Sequence, residues 1–439
     1  MGAEQEVLTH TVTIADATVS KFGFGIPLIA AFHSFWLEDV KSFQNADELT
    51  KAPYNVPVTH AIYLEAAKLK SQNPCPPLFK VGKLTGTFTQ TVTVTPITPV
   101  VGMIYTFVLN GTTITYTAPG SPTIAMVCTG IAAAATAVAA TTGVTAAATA
   151  TLVTLTASTA GAVMRIADPT TNLALADTTP LSATTPATDL ARIRAADGDW
   201  YALLLGVPGK LAIANVAAWA ESQRCIYFAS SADSDVPASG STDIATTLSG
   251  LGYHRTGLWF HPNSADYLDA AIAGAMLPKL PGPITFANKG LAGVERQNYA
   301  GSDRVNLKAK KANYYVDMKG LGFTLYGWAS SGRFIDVMVA VDWFDVGIED
   351  RILLLLHNND VVPYTDKGIE TVRAQVVGQI QEGIGLGIID GDQAWSVTAP
   401  KVATINPNDK ASRILPDIRY SYTLSGAIHS VKIIGVVKV

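Results

Sequence analysis

The chain has few charged residues for its length. Only 15% of its 439 residues are Asp, Glu, Lys or Arg, and the formal net charge is −4, whereas a soluble domain usually carries about 25% charged residues. The small net charge excludes a global basic field for nucleic acid and an acidic tail. A charge-poor chain with a mean hydropathy of +0.26 is typical of a protein that buries much of its surface in an assembly.

Cysteine and histidine give no sign of a metal site. Cys75, Cys128 and Cys225 are far apart without a Cys-x-x-Cys pair, which excludes a disulfide framework and predicts reduced thiols in a protein made in a cytosol. The seven histidines form no His-x-x-x-His pair, so no metal and no cofactor are predicted. The acidic first residues lack an apolar run, so no secretory signal is predicted.

One long segment has no charge at all. Between Lys83 and Arg165 the chain consists mainly of Thr, Ala, Val, Gly and Ile. Alternation predicts strands at 87–95 and 150–159, and Asn110-Gly111 predicts a hairpin with a type I′ turn. Residues 124–142 are long and uncharged enough for a transmembrane helix, but the absence of flanking Lys/Arg clusters favours a packed helix. We expect 84–185 to be a small insertion domain.

The chain on either side of this segment alternates between predicted strands and helices, which indicates a parallel sheet covered by helices. The predicted helices are 57–71, 211–223, 243–251 and 264–276, and the predicted strands are 26–33, 78–82, 200–206, 225–230 and 256–262. The expected fold class is α/β (α+β mixed), with a layered α/β core, a small Thr/Ala-rich insertion domain and extended β arms at both termini.

Polar residues follow two of these predicted strands. Ser230, Ser231 and Asp233 follow one and His261 follows another, at the edge where open α/β sheets bind ligands. A serine hydrolase would need a Gly-x-Ser-x-Gly elbow, which is absent here. Helix caps and turns explain such residues more often, so no catalytic residue is predicted and an α/β hydrolase stays a minor alternative.

The last 22 residues contain two strand-like patterns. Residues 418–424 alternate, Ser425-Gly426 can turn the chain, and a second apolar run reaches Val439. An unpaired terminal strand is an aggregation hazard unless its edge is covered. Either the strand closes its own domain, or it is an arm that adds a strand to a neighbouring subunit. The β-prone residues 7–14 are a second candidate arm.

Several segments of the chain resemble the sheath proteins of bacteriophage contractile tails. They are Gly23-Phe-Gly-Ile-Pro-Leu-Ile29, Ser71-Gln-Asn-Pro-Cys-Pro-Pro-Leu-Phe-Lys-Val-Gly82, Tyr253-His-Arg-Thr-Gly-Leu-Trp-Phe-His-Pro262, Ile284-Thr-Phe-Ala-Asn-Lys-Gly-Leu-Ala-Gly293, Lys311-Ala-Asn-Tyr-Tyr315, Phe334-Ile-Asp336 with Val341-Asp-Trp343, and Leu424-Ser-Gly-Ala-Ile-His429. Together they span most of the chain outside 84–185. The uncharged insert resembles the variable outer domains of such sheaths.

The resemblance implies a structural protein of the virion that is not an enzyme. Its subunits would stack as rings around a tail tube and contract to drive the tube through the host envelope. The implied partners are copies of the same chain, the tail tube protein, and baseplate and tail terminator proteins, without nucleic acid or membrane insertion. Assembly would take place in the host cytoplasm. Another self-assembling virion or surface-layer protein is the alternative.

The resemblance also assigns roles to segments. Its expected divisions are a 1–20 arm, a core at 21–83 and 186–416, the 84–185 insertion, and a 417–439 hairpin and arm. The arms would contact neighbouring subunits through Val7, Leu8, Val12, Ile14, Val431, Ile433, Val437 and Val439. The strand that accepts an arm would contain Tyr420, Tyr422 and Leu424.

Charged residues are the remaining candidates for contacts. Asp342, Asp345 and Glu349 share one face of a predicted helix, where they could do acid–base work or bind a cation. Pairing with basic residues of the same or another subunit is favoured, because Arg351 follows directly. The candidate contacts between subunits are Asp342, Asp345, Glu349, Arg351, Lys308, Lys310 and Lys311, and the candidate tube contacts are Lys367 and Arg373.

Overall fold

The computed structural model describes residues 23–85, 89–159, 164–178, 186–206 and 209–432. These residues fall into two compact units. The main unit contains residues from Gly23 to Trp343 and again from Leu424, and the C-terminal unit contains Phe344–Thr423. The candidate arm residues Val7, Leu8, Val12, Ile14, Ile433, Val437 and Val439 lie outside the described residues.

The main unit is built on a mixed sheet in the order β15-β14-β13-β12-β11-β1-β3-β2. Its strands are β1 Pro27–Phe32, β2 Val40–Phe43, β3 Phe79–Leu84, β11 Ala202–Leu205, β12 Ile226–Ser231, β13 Thr256–Phe260, β14 Asn313–Met318 and β15 Leu321–Leu325. The helices around it are α1 Asp47–Thr50, α2 Ala61–Lys70, α5 Pro186–Ala196, α6 Lys210–Glu221, α7 Ile244–Leu251, α8 Leu268–Met276 and α9 Gly301–Ala309.

The central strands are parallel, as predicted. β1 lies between β3 and β11, with Ile29 opposite Val81 on one side and Leu204 on the other. All residues of β1, β11 and β13 are buried, as expected for parallel strands covered on both faces. The chain passes from β1 to β3 in one direction and from β11 through β12 and β13 in the other. The order of the strands therefore reverses between β1 and β11.

The Thr/Ala-rich insertion has its own sheets and its own hydrophobic core. Its elements are β4 Thr91–Pro96, β5 Ile104–Leu109, β6 Thr112–Thr117, α3 Ile124–Ala137, α4 Ala139–Thr142, β7 Val144–Ala148, β8 Val153–Ala157, β9 Ile166–Ala167 and β10 Leu173–Asp177. Helix α3 buries Val127, Cys128 and Ile131 against these strands. In the described part of the chain, no helix is both long and apolar enough to cross a membrane.

The C-terminal unit packs two long helices and a strand pair. Helix α10 (Ile335–Asn358) begins before it, and α11 (Asp366–Gly385), β16 (Ser396–Thr398), α12 (Pro407–Ala411) and β17 (Arg419–Ser421) follow. The two long helices approach closely at Gly347, where an added Cβ would collide with the buried amide of Gln379. The apolar core of this unit includes Phe344, Val376, Ile380, Ile388 and Ile389.

One local prediction is wrong, and the C-terminal hairpin stays a prediction. β17 pairs with β16, and residues 425–432 form no strand, but the predicted second strand of the hairpin continues from residue 433 outside the described residues. Ser264 does not cap a regular α-helix, because Ser264–Asp266 is a short 3₁₀ turn and α8 begins only at Leu268. Asn263 caps that turn through the amide of Ala265 at 2.9 Å.

Candidate inter-subunit site in the C-terminal unit

The strand pair of the C-terminal unit has open edges among the described residues. β16 and β17 run antiparallel, with Val397 opposite Tyr420 and Thr398 opposite Arg419. No third strand of the described chain joins this sheet. An isolated pair of strands is at best marginally stable in water. Such a pair gains stability when further strands satisfy its free N–H and C=O groups.

Side chains of α10 hold the strand pair in place. The ring centroid of Phe344 lies 5.1 Å from that of Tyr420 and 4.4 Å from that of Tyr422. The Tyr420 hydroxyl donates to Asp345 Oδ1 at 3.3 Å. Burial, and next the neighbouring Tyr420, raise the pKa of Tyr422, so its hydroxyl stays protonated. The two tyrosines therefore lie against their own subunit, and they leave the backbone of β17 exposed.

The chain that follows the strand pair is attached to the main unit at His429. The His429 ring lies within 2.7 Å of Thr285 Oγ1 and packs edge-on against Phe334 at 4.6 Å. The Asn288 side chain donates to the His429 carbonyl at 3.3 Å. On either side of this attachment, Ile428 is 83% exposed and Val431 is 75% exposed. The candidate arm thus begins as an anchored segment with unburied apolar side chains.

Asp342 is not available for a contact between subunits. Its side chain is 2% exposed and accepts two hydrogen bonds from the Arg255 guanidinium, at 2.7 and 2.8 Å. The Tyr201 hydroxyl donates to the same carboxylate at 2.8 Å. Burial first, and then the Asp342 charge, raise the pKa of Tyr201 well above its usual value. Asp342 thus pairs with a basic residue of its own subunit, one of the two alternatives left open, and its prediction as a contact between subunits is wrong.

Lys310 is likewise used inside the subunit. Its ammonium group lies 2.7 Å from Asp243, whose side chain is fully buried. The same ammonium group donates to the carbonyls of Asp235, Val236 and Ala238 at 2.7–3.0 Å. Lys310 therefore fixes the loop before α7, and its prediction as a contact between subunits is wrong.

The other charged candidates are more accessible. Arg351 binds Gln379 at 2.8 Å and Glu382 at 2.7 Å, which links α10 to α11. The Lys311 ammonium lies 5.2 Å from the centre of the Trp328 ring. Lys308, Glu349 and Lys367 are exposed and Asp345 is half-buried. Arg373 binds the neighbouring Glu370 and donates to the Val397 carbonyl at 3.2 Å.

The sequence of the C-terminal part matches one family model. Residues 335–437 match the C-terminal domain of E217 tail sheath protein gp31-like proteins. This part of the chain is similar to a tail sheath domain. The resemblance of the chain to contractile-tail sheath proteins is confirmed, and the described strand pair and arm attachment both lie within the matched residues. No curated protein matches this chain.

Solved structures share the fold of this chain along almost its whole length. A chain of the anti-feeding prophage baseplate is 11% identical with a TM-score of 0.56, covering 98% of this chain and 100% of its own. The contracted helical sheath of the same prophage is 11% identical, with a TM-score of 0.53 and coverage of 97% and 98%. The contracted PVC sheath of an extracellular contractile injection system is 9% identical, with a TM-score of 0.53 and coverage of 98% of both chains.

The polar residues at the strand ends of the main unit have backbone partners. His261 Nδ1 accepts the Asn263 amide at 3.1 Å, and Nε2 lies 2.9 Å from the Glu295 carbonyl. The Ser231 hydroxyl accepts the Asp233 amide at 3.2 Å. Both ring nitrogens of His261 thus have backbone partners, and the histidine acts as a structural group.

Sequence reasoning missed two parts of this interface region. β16, the partner of β17, has only three residues, which is too short for a recognisable alternating pattern. The partners of His429 lie more than 140 residues earlier in the chain. Both contacts depend on tertiary packing, which no local pattern reports.

Proposed function

We propose that this chain polymerises as the sheath of a contractile tail, and that its subunits are joined by strand addition at the β16–β17 pair. The observation that carries the proposal is the two-stranded sheet with open edges inside the matched sheath domain. A strand added at such an edge makes regular backbone hydrogen bonds largely independent of its sequence. A neighbouring arm would complete a sheet that is too small to be stable alone.

The arm itself has the properties of a donor. Ile428 and Val431 are exposed apolar side chains, and Val431 begins the run that continues through Ile433, Val437 and Val439. A strand of about ten residues spans roughly 30 Å, which is enough to reach an adjacent subunit. Residues 7–14 are the proposed second arm, and together the arms would keep subunits linked when the sheath shortens.

The experiment is removal of residues 431–439, which keeps the His429 attachment. Negative-stain microscopy should show hollow tubes for the full chain and none for the truncated chain, while circular dichroism shows that both are folded. The control is Ser430→Asp, an exposed arm position just before the deleted run, which should still form tubes. Tubes of normal geometry from the truncated chain would refute strand donation by the C-terminal arm.

Contraction is the proposed activity of the assembled sheath. The energy would come from exchanging one set of contacts between subunits for another, with the arms as persistent links. Exposed charges exchange partners at little cost because surface ion pairs contribute about 0–1 kcal/mol. Lys308, Lys311, Asp345, Glu349 and Arg351 remain the proposed charged contacts.

The tail tube, baseplate and terminator are the proposed partners, and the tail is the proposed location. Lys367, which is exposed at the start of α11, and Arg373 remain the proposed tube contacts. Replacing Lys367 with a photo-crosslinking residue tests this. Crosslinks to the tube protein in extended tails support the proposal, and crosslinks only to neighbouring sheath subunits contradict it.

A further inference from the structure

A cavity of about 130 Å³ lies in the main unit at the carboxyl ends of the parallel strands. Leu205 and Gly206 line it from the end of β11, and Ser230 and Ser231 line it from the end of β12. The order of the strands reverses between β1 and β11, and open α/β sheets hold their ligands in the crevice at such a reversal. The position alone makes this cavity the expected ligand site of the fold.

The insertion lines this cavity from one side. Val92, Ile166 and Leu175 of the insertion lie at its wall together with Ile213 of α6. Two serines attach the insertion to the core. Ser264 donates to the Ile166 carbonyl at 3.0 Å, and Ser234 Oγ accepts from the Leu175 amide and donates to the Leu175 carbonyl, both at 3.0 Å. The insertion thus adds an apolar wall to the crevice.

Three residues that line the cavity have a buried oxygen without a hydrogen-bond partner. They are Glu65 (Oε2) of α2, Asp269 (Oδ1) of α8 and Tyr227 (hydroxyl) of β12, and the half-buried Arg165 adds an unpartnered donor, its Nε. Each of the three residues with an unpartnered oxygen is at most 3% exposed. A buried polar atom without a partner costs about 1–3 kcal/mol, and more when it is charged. Three such residues around one cavity are typical of a ligand site.

Two basic residues, Arg165 and Lys210, also line the cavity, but neither forms an ion pair with Glu65 or Asp269. No ion pair to Glu65 or Asp269 occurs among the described residues within 4.0 Å, and the described chain contains no cluster of three or more His, Cys, Asp or Glu suited to a metal. Burial, followed by the nearby Asp269 charge, raises the pKa of Glu65, and burial also raises the pKa of Asp269. A bound cation with hydrogen-bond donors would stabilise the ionised pair.

We propose that this cavity binds a protonated primary amine with a short aliphatic body, with its ammonium group between Glu65, Asp269 and Tyr227. An ammonium group has three donors and no acceptor, which matches three unpartnered oxygens. The apolar wall suits a chain of methylene groups. A cavity of similar size, about 150 Å³, accepts a six-carbon ring, so the closed part of the pocket fits an amine of about six heavy atoms.

The test uses the full chain and isothermal titration calorimetry with n-butylamine and butane-1,4-diamine. n-Butanol and butyrate are the matched probes without an ammonium group. We expect saturable binding of at least one amine, and affinities for butanol and butyrate at least roughly tenfold weaker, because charge-assisted hydrogen bonds contribute about 1.5–3 kcal/mol. Equal binding of butanol and butylamine, or no saturable binding of either amine, overturns the proposal.

Variants locate the binding in the cavity. Glu65→Gln should weaken the amine roughly tenfold or more and Tyr227→Phe should weaken it several-fold, while Asp360→Asn, an exposed carboxylate outside the cavity, should not change the affinity. Tyr227→Phe preserves the aromatic ring, so it tests whether the amine binds in this cavity even if Glu65→Gln fails to fold. Unchanged affinity in the cavity variants contradicts the proposed site.

The number of protons released when the amine binds distinguishes an ammonium site from a purely apolar pocket. Binding a cation favours the ionised carboxyl pair, so titrations near pH 7 in buffers of different ionisation heat should show protons released on binding. The other titratable groups that line the cavity are Tyr267, Arg165, Lys210 and Asp233, and the release should decrease in Glu65→Gln, where only Asp269 of the carboxyl pair can still lose a proton. Release that persists unchanged in this variant assigns the protons to another group and refutes the assignment.

Discussion

The buried ion pair of the main unit gives the sharpest test of the structure. Asp342 accepts from both terminal nitrogens of Arg255 and from Tyr201, with its side chain 2% exposed. Asp342→Asn preserves the shape of the side chain but removes the negative charge that neutralises the Arg255 guanidinium. The guanidinium is then left buried without its counter-ion, and one of the three donors loses its acceptor.

Removing one partner of a buried pair costs about 3–5 kcal/mol. Asparagine keeps one acceptor oxygen, so we expect a loss near the lower end, about 3 kcal/mol. Asp417 is the matched control, because its contact with Arg419 is long, at 3.7 Å, and both side chains are more than two-thirds exposed. Asp417→Asn should change the free energy of unfolding by no more than about 0.5 kcal/mol.

The assay is urea unfolding followed by tryptophan fluorescence. The midpoint of the main transition should fall for Asp342→Asn without a change in its slope, because the area exposed on unfolding stays the same. The double variant Arg255→Met with Asp342→Leu should recover most of the loss, since it leaves no unpaired charge. A loss below about 1 kcal/mol would refute the buried pair. Normal unfolding with failed polymerisation would restore the original prediction of an inter-subunit contact.

Three further changes test other parts of the molecule. Gly130→Ala should destabilise the insertion by about 1–3 kcal/mol, because the new Cβ would collide with the Tyr116 ring. The control Gly120→Ala places its Cβ in open space and should leave the stability unchanged. Thermal unfolding measures both variants. Burial above all lowers the pKa of His33 to about 3, so below about pH 6.5 the folded protein binds fewer protons at His33 than the unfolded protein, and the free energy of unfolding decreases towards acid. His33→Phe should reduce this decrease between pH 7 and pH 5 in urea titrations. An unchanged dependence of the unfolding free energy on pH would contradict the assignment. Lys310→Met should cost about 3 kcal/mol or more in urea unfolding by leaving a fully buried carboxylate unpaired, and a cost near zero would place that ammonium group at the surface.

The sequence predicted the layered core well because its strands are buried on both faces. Residues such as Leu28, Ile29 and Leu204 form short apolar runs between helices with clear start signals, including the Asp243 cap, whose carboxylate accepts the Thr246 amide at 3.0 Å. Both signals are local, and the packing of the sheet agrees with them. The Asn110 turn was likewise predicted from two residues.

The partners of charged residues could not be predicted in the same way. Asp342 lies 87 residues after Arg255 and 141 residues after Tyr201, and its helical spacing to Asp345 indicated only an acidic face paired with basic residues of the same or another subunit. On α10, Asp342 is buried in the main unit, whereas Asp345, in the part of the helix that belongs to the C-terminal unit, is half-buried. A helical pattern identifies which residues share a face, but it does not identify what covers that face.

This internal use of charge bears on how subunits would bind each other. The chain has few charges, and Asp342, Arg255 and Lys310 are engaged inside the subunit. Fewer charges are then left for the surface, so charge pairs are a weak basis for a stable lattice. Backbone pairing at the β16–β17 edge and apolar contacts of Val431 require no charge. If arms and edges carry the linkage, polymerisation should depend only weakly on salt, whereas a lattice held by surface ion pairs would dissociate as ionic strength rises.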